Sequence, residues 1–163
     1  MSPLTRSAAR SATGSGRQST ARSAARDLVL LLARVGLGVV FVAHGWQKFR
    51  TNGLQATAAG FEQMGVPAPT LSAYYATAAE VIGGAALILG VLTSVAGVLL
   101  ALDMAGALIF VHASNGIFAA DGGWELVAAL GLLSLTLAAT GAGRISLDNL
   151  LTRRATDSPS LAS

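Results

Sequence analysis

The stretch LVLLLARVGLGVVFVAHGWQ, residues 28–47, is an apolar run that contains one arginine and ends in a histidine, a glycine, a tryptophan and a glutamine. A run of about 20 such residues is long enough for a helix to cross the hydrocarbon core of a membrane. Three more apolar blocks follow it, and of all 163 residues 53% are hydrophobic and 12% are charged. Since soluble domains carry about 25% charged residues, the composition predicts an integral membrane protein.

The four apolar blocks predict an all-α membrane protein that folds as a four-transmembrane-helix bundle. The predicted spans cover residues 28–47, 72–89, 94–111 and 124–140. Ser72 is a candidate N-cap of the second span, and Gly90 is a natural end for it. In the outer loop between spans 1 and 2, apolar residues recur at helical spacing over residues 54–64, which predicts a short amphipathic helix on the membrane surface. A further short helix is predicted after Ser146, its expected cap.

The basic residues predict the orientation of the bundle. Residues 1–26 consist largely of Ser, Ala, Thr, Gly and Arg, so we expect a disordered basic tail. The membrane domain then covers residues 27–152 and a short second tail covers residues 153–163. The two tails and the chain just inside them hold Arg6, Arg10, Arg17, Arg22, Arg26, Arg144, Arg153 and Arg154, whereas the opposite side holds Lys48 and Arg50. By the positive-inside rule, both termini are expected in the cytoplasm and the protein in the cytoplasmic membrane.

The composition also excludes several kinds of chemistry. The chain has no cysteine, which excludes disulfides, thiol catalysis and iron–sulfur ligation by this chain itself. We predict no metal site and no nucleic-acid partner. The expected partners are the lipid bilayer and other protein subunits, and a homo-oligomer stays open.

Charged residues within the spans are expected to face the interior of the bundle, because a charge in hydrocarbon costs at least about 2.5–3.5 kcal/mol. Small residues share their faces and let the helices approach. Four glycines are therefore predicted at helix-packing positions: Gly38, Gly45, Gly83 and Gly84. Depth along the helices favours an intramembrane ion pair between Arg34 and Asp103, with Glu80 as the competing partner of Arg34.

A polar cluster is predicted at the outer end of the bundle. Its members are His44, Lys48, Glu80, His112 and Glu125. Our hypothesis is that they bind a quinone head group or a small anion, with Lys48 supplying positive charge and Glu80 passing a proton. Structural roles stay open, since Lys48 could snorkel to the surface and Glu125 could interact with a helix dipole. A regular helix would also place His112 about 180° from Asp103, which argues against a shared site. We assign no catalytic residue.

Taken together, five motifs resemble the DoxX family of small bacterial membrane proteins. They are ARVGLGVVFVAHGWQKF, GFEQMGVPAP, AAEVIGGAALILG, VHASNGIFAADGGWEL and TGAGRISLD, in this order. The resemblance covers about residues 28–151. It implies family signature positions at Arg34, His44, Gly45, Lys48, Glu80, Gly83, Gly84, His112, Gly116, Glu125 and Asp148.

The resemblance implies a role in membrane redox systems. One branch of the family resembles a subunit of a thiosulfate:quinone oxidoreductase, and another is linked to an actinobacterial complex that joins oxidative-stress defence to thiol balance. We therefore expect an integral membrane subunit of a quinone- or thiol-linked oxidoreductase complex of the DoxX type, with oxidoreductase partner subunits and a quinone as the candidate cofactor. Two alternatives stay open: a non-catalytic membrane anchor or assembly partner, and a small-solute or proton-relaying transporter.

Overall fold

Helices account for almost all of the chain that the structure describes. The computed structural model describes the backbone of residues 3–156 and the side chains of residues 20–152, and it shows no strand in residues 3–156. The α-helices are α1 (Pro3–Trp46), α2 (Leu54–Gln63), α3 (Pro69–Ala78), α4 (Gly84–Leu89), α5 (Thr93–Ala107), α6 (Glu125–Thr140) and α7 (Leu147–Thr156). The prediction of an all-α membrane protein is confirmed.

Within the part of the chain that the structure describes, three helical segments are long and apolar enough to cross a membrane. They are Thr20–Asn52, Pro69–Leu89 and Thr93–Asn115, so the second of them joins α3 to α4. The remaining apolar helix, α6, has 16 residues, fewer than the about 20 that usually span the hydrocarbon core. The count of four spans therefore stays a prediction.

The structure assigns helix to residues for which the sequence predicts a disordered tail. Helix α1 is assigned from Pro3, within the segment 1–26 for which the composition predicts disorder. The division into a tail, a membrane domain at 27–152 and a second tail at 153–163 stays a prediction. Residues 1–2 and 157–163 lie outside the described backbone.

The short elements between the spans follow from local signals. Helix α2 covers the segment predicted to form an amphipathic helix. The Oγ of Ser146 accepts a hydrogen bond of 3.2 Å from the backbone N–H of Asn149, as expected of a residue that caps α7. The predicted cap at Ser72 is wrong, because α3 begins three residues earlier at Pro69, whose fixed φ suits the first turn of a helix.

The bundle is held together by close contacts between α1 and α4 and between α5 and α6. A Cβ atom placed on Gly38 of α1 would lie 2.5 Å from the carbonyl oxygen of Gly84 in α4. Only glycine allows the two backbones to approach so closely. The buried core between the helices includes Leu37, Phe41, Leu87, Leu100, Met104, Val127 and Leu137.

Three π-helical stretches interrupt the long segments: Gln47–Asn52, Ala79–Gly83 and Leu108–His112. Each of them contains one residue of the predicted polar cluster, namely Lys48, Glu80 or His112. π-Helical turns are rare and are often found at functional sites. We call the end of the bundle that carries Lys48 and His112 the Lys48 end. The opposite end, which carries Arg34, is the Arg34 end.

Candidate functional site

At the Lys48 end, Lys48 and Glu80 form a partly buried ion pair. The Nζ of Lys48 donates hydrogen bonds of 2.9 and 2.7 Å to the two carboxylate oxygens of Glu80. The Lys48 side chain is 22% exposed and the Glu80 side chain 4%. The local packing explains the contact, because a Cβ on Gly45 would lie 2.9 Å from the Cβ of Glu80. Glycine thus lets α1 lie directly against the π-helical stretch that carries Glu80.

Beside this ion pair lies a cavity of about 480 Å³. Its volume is within the range of about 300–1,000 Å³ that is usual for small-molecule sites. Its polar lining includes His44, Lys48, Glu80, Asp103 and His112, and its apolar lining includes Phe41, Phe61, Phe110, Leu126 and Leu130. The structure therefore brings four members of the predicted cluster to one cavity, together with Asp103.

Asp103 is the buried polar residue of this lining that has no hydrogen-bond partner among the side chains and backbone groups of residues 20–152. It lies in α5 and is 8% exposed. A buried polar group without a partner is costly, and most buried polar groups in folded proteins have one. Asp103 therefore gives the cavity a carboxyl group that is free to bind a ligand.

His112 lines the same cavity and lies at the end of the π-helical stretch Leu108–His112. The wider turn reduces the rotation per residue, so the opposed faces expected of a regular helix do not apply. The Nδ1 of His112 lies 2.6 Å from the carbonyl oxygen of Gly122. Since a carbonyl only accepts, Nδ1 must carry the hydrogen, and in the neutral ring Nε2 carries the lone pair.

The other two residues of the predicted cluster have different positions. His44 lines the cavity and is exposed, which places it at the edge. Glu125 does not line the cavity. Its Oε1 accepts a hydrogen bond of 2.8 Å from the backbone N–H of Ala119, so it orders the loop that precedes α6.

The expected ion pair between Arg34 and Asp103 does not form. Arg34 is 2% exposed, and its Nη1 and Nη2 donate to the carbonyl oxygens of Ala142 and Ile145 at 2.8 and 2.7 Å. Helical side chains point towards the N-terminus of their helix, which directs Arg34 away from Asp103. Glu80, the competing partner, binds Lys48 instead.

Near Arg34, the carboxylate of Asp148 links the start of α7 to the start of α5. Asp148 accepts hydrogen bonds from the backbone N–H groups of Leu92 and Thr93 at 2.9 and 3.2 Å. Its own N–H donates to the carbonyl oxygen of Gly90 at 2.9 Å. Asp148 thereby caps the first turn of α5 from a distant part of the chain. An acidic residue at the start of α7 is a weak signal, and it does not predict this pairing.

Comparison with known proteins identifies the chain. A family model described as DoxX matches residues 29–113. The chain belongs to the DoxX family. The predicted resemblance is thus confirmed, and no solved structure matches the chain.

Relatives of this DoxX protein come from distant bacteria. An uncharacterized membrane protein of Mycobacterium tuberculosis is 34% identical over 139 residues, which are 78% of this chain and 83% of the relative. "Putative oxidoreductase CatD" of Bacillus subtilis is 37% identical over 122 residues, 75% of this chain and 86% of the relative. The inner membrane protein YphA of Escherichia coli is 31% identical over 131 residues, 77% of this chain and 91% of the relative.

Proposed function

We propose that this DoxX protein is the membrane subunit of a quinone-linked oxidoreductase complex, and that the cavity at the Lys48 end binds the quinone head group. The observation that carries the proposal is the cavity itself. A buried ion pair, a buried carboxyl group without a protein partner and a histidine line one space between apolar helices. Ligand sites commonly combine apolar walls with a few convergent polar groups.

The residues present fit such a head group. A quinone is a flat ring with two carbonyl oxygens, and one N–H of Lys48 and the ring of His44 are available to bind them. The ring would lie among apolar and aromatic side chains, including Phe41, Phe61 and Phe110. When bound, a quinone supplies two-electron, two-proton redox chemistry. The chain supplies the groups that hold or accept protons beside it, above all Asp103 and Glu80.

A further observation supports the redox assignment. One relative carries "oxidoreductase" in its name. The chain itself has no cysteine, so thiol chemistry would take place on a partner subunit that exchanges electrons with this one through the quinone. We place both termini in the cytoplasm and the cavity near the outer surface, because basic residues concentrate at the two tails.

The proposal is tested with the full chain purified from native membranes after mild crosslinking. We expect oxidoreductase subunits to co-purify. After transfer to quinone-free nanodiscs, we expect the protein to bind a short-chain quinone in at least one redox state. His44→Ala should weaken binding by about tenfold or more, the effect of losing one strong hydrogen bond. Glu80→Gln should weaken binding as well, because it removes the carboxylate that holds Lys48 beside the cavity. Asp121→Asn is the control, because Asp121 lies in an exposed loop and does not line the cavity.

Three results would contradict the proposal. Unchanged quinone binding and turnover in both variants would remove the cavity from the mechanism. Stable partners without quinone binding would instead favour a membrane anchor. Solute or proton flux through proteoliposomes that contain the purified chain alone would favour a transporter.

A further inference from the structure

The hydrogen-bond donors around the cavity are largely used within the protein. The hydroxyl of Tyr75 donates to the carbonyl oxygen of Leu99 at 2.9 Å, and that of Ser72 donates to the carbonyl oxygen of Pro67 at 2.7 Å. Lys48 directs two hydrogen bonds to Glu80, which leaves it one N–H. The donors that remain for a ligand are one N–H of Lys48 and the ring of His44, which lies at the exposed edge of the cavity.

By contrast, two hydrogen-bond acceptors of the cavity lining are not used within the part of the chain that the structure describes. Asp103 has no partner within residues 20–152, although it is nine-tenths buried. The Nδ1 of His112 is committed to the carbonyl oxygen of Gly122, so its Nε2 has a free lone pair in the neutral ring. Both residues belong to the segment Thr93–Asn115 and line the same cavity. One wall of the cavity thus carries two acceptors that lack donors within residues 20–152.

The charged groups of the cavity also favour a ligand that donates hydrogen bonds. The cavity contains two carboxyl groups, Glu80 and Asp103, and one ammonium group, Lys48. The ammonium group is bound to Glu80, so Asp103 has no cation in contact with it. This arrangement disfavours the small anion that we considered from the sequence, and it favours a ligand that brings its own hydrogen-bond donors.

We infer that the cavity selects the reduced, hydroquinol form of its ligand over the oxidised quinone, and that Asp103 accepts a hydrogen bond from one of its hydroxyl groups. The inference rests on the proposed function, since it concerns the same cavity. A hydroquinol has two O–H donors, whereas a quinone has two carbonyl acceptors and no donor. A site built to bind a hydroxyl group discriminates strongly against the analogue that lacks it, because buried polar groups are then left unpaired.

Asp103, and not Glu80, is the residue to test. Both oxygens of Glu80 already accept from Lys48, so a ligand would have to displace an existing ion pair. Asp103 offers a carboxyl group that loses no protein contact when it binds a ligand.

The experiment compares three ligands that share one ring and one short alkyl tail: the hydroquinol, its dimethyl ether and the quinone. The ether keeps the oxygen atoms but cannot donate. Binding to the full chain in quinone-free nanodiscs is measured by flow dialysis under anaerobic conditions. We expect the wild-type protein to bind the hydroquinol about 10- to 100-fold more tightly than either other ligand, as one or two good hydrogen bonds would give.

Two substitutions at position 103 connect this preference to Asp103. Asp103→Asn should reduce the ratio of hydroquinol to quinone affinity to near one, and Asp103→Glu should restore part of it. Asp121→Asn makes the same chemical change in an exposed loop and should leave the ratio unchanged. Because the ligand series in the wild-type protein is informative by itself, the test does not depend on the folding of either variant.

The outcomes separate the two proposals. Equal affinity for all three ligands, or tighter binding of the quinone, would overturn the inference and leave quinone binding in place. A hydroquinol preference that persists in Asp103→Asn would overturn the role of Asp103. If none of the three ligands binds to the wild-type protein, both the inference and the proposed function are wrong.

Discussion

At the Arg34 end a guanidinium group is bound by two backbone carbonyl groups, whereas at the Lys48 end an ammonium group is bound by a carboxylate beside a cavity. The first charge is satisfied by groups that no substitution removes, and its geometry is fixed by the fold. The second is satisfied by another side chain, so the pair can be removed or exchanged as a unit. This difference assigns a structural role to the Arg34 end and a ligand-binding role to the Lys48 end.

The largest effect is expected from Arg34→Met. The substitution leaves the carbonyl oxygens of Ala142 and Ile145 without their donors and removes part of a fully buried side chain. Two lost charge-assisted hydrogen bonds and a small void together predict a decrease of about 4 kcal/mol in the free energy of unfolding. The measurement is reversible unfolding in mixed micelles.

Arg26→Met is the control for this prediction, since Arg26 is exposed on the same helix. We expect it to leave stability unchanged. An Arg34→Met protein as stable as the control would mean that the Arg34 end is not held by its arginine, and the comparison between the two ends would fail.

The second prediction concerns removal of the Lys48–Glu80 pair in two steps. Lys48→Met leaves the buried carboxyl group of Glu80 without its cation, and Glu80→Met leaves the ammonium group of Lys48 without its anion. We expect each single variant to lose about 2–3 kcal/mol of unfolding free energy, because an unpaired charge remains in a partly buried site.

The double variant Lys48→Met/Glu80→Met should lose less than either single variant, because well-packed apolar residues often replace a buried ion pair at little cost. A double-mutant cycle on the free energy of unfolding measures this coupling. Additive losses would show that Lys48 and Glu80 are not coupled. The pair at the Lys48 end could then not be removed as a unit, and the contrast with the Arg34 end would be wrong. Quinone binding, measured in parallel, should be lost in all three variants.

These expectations show which parts of the molecule the sequence could predict. Apolar runs and helical spacing were sufficient to predict the helical segments and α2, because burial and periodicity are local properties. Depth along the helices suggested that His44, Lys48, Glu80, His112 and Glu125 gather at one end. The structure places the first four on the lining of one cavity, whereas Glu125 does not line it.

The partner of Arg34 could not be predicted in the same way. Its acceptors are backbone carbonyl oxygens at Ala142 and Ile145, and every residue carries such a group, so the sequence holds no signal for them. The shared position of Asp103 and His112 was also missed, because the π-helical stretch Leu108–His112 changes the angle between them. An extra residue in one turn is a consequence of packing that a regular helical projection does not include.

The third prediction tests the close approach that positions the Lys48 end. Gly45→Ala would place a Cβ 2.9 Å from the backbone nitrogen of Val81 and 2.9 Å from the Cβ of Glu80. Because backbone cannot move as a side chain does, we expect α1 to shift and the unfolding free energy to fall by about 2 kcal/mol. Ligand binding should weaken as well, since Lys48 and Glu80 move apart.

Gly36→Ala provides a matched control on the same helix, because a Cβ at Gly36 meets nothing within 4 Å. It should be neutral or slightly stabilising, since alanine favours helix more than glycine does. If both alanine variants behave alike, the contact between α1 and the stretch Ala79–Gly83 does not limit stability.

The smallest effect is expected at the Arg34 end, from Asp148→Asn. The carboxylate of Asp148 accepts from the N–H groups of Leu92 and Thr93, and asparagine keeps one of these acceptors while it loses the charge that favours a helix N-terminus. Leu92 has a left-handed backbone with φ of 48°, which a non-glycine residue adopts at some cost. We expect a loss of about 1 kcal/mol in unfolding free energy, typical of a weakened N-cap.

Affinity for the ligand should not change, because Asp148 lies at the opposite end from the cavity. Both the free energy of unfolding and the affinity for the ligand are measured. A fall in affinity without a fall in stability would assign to Asp148 the ligand-binding role that we assign to the Lys48 end.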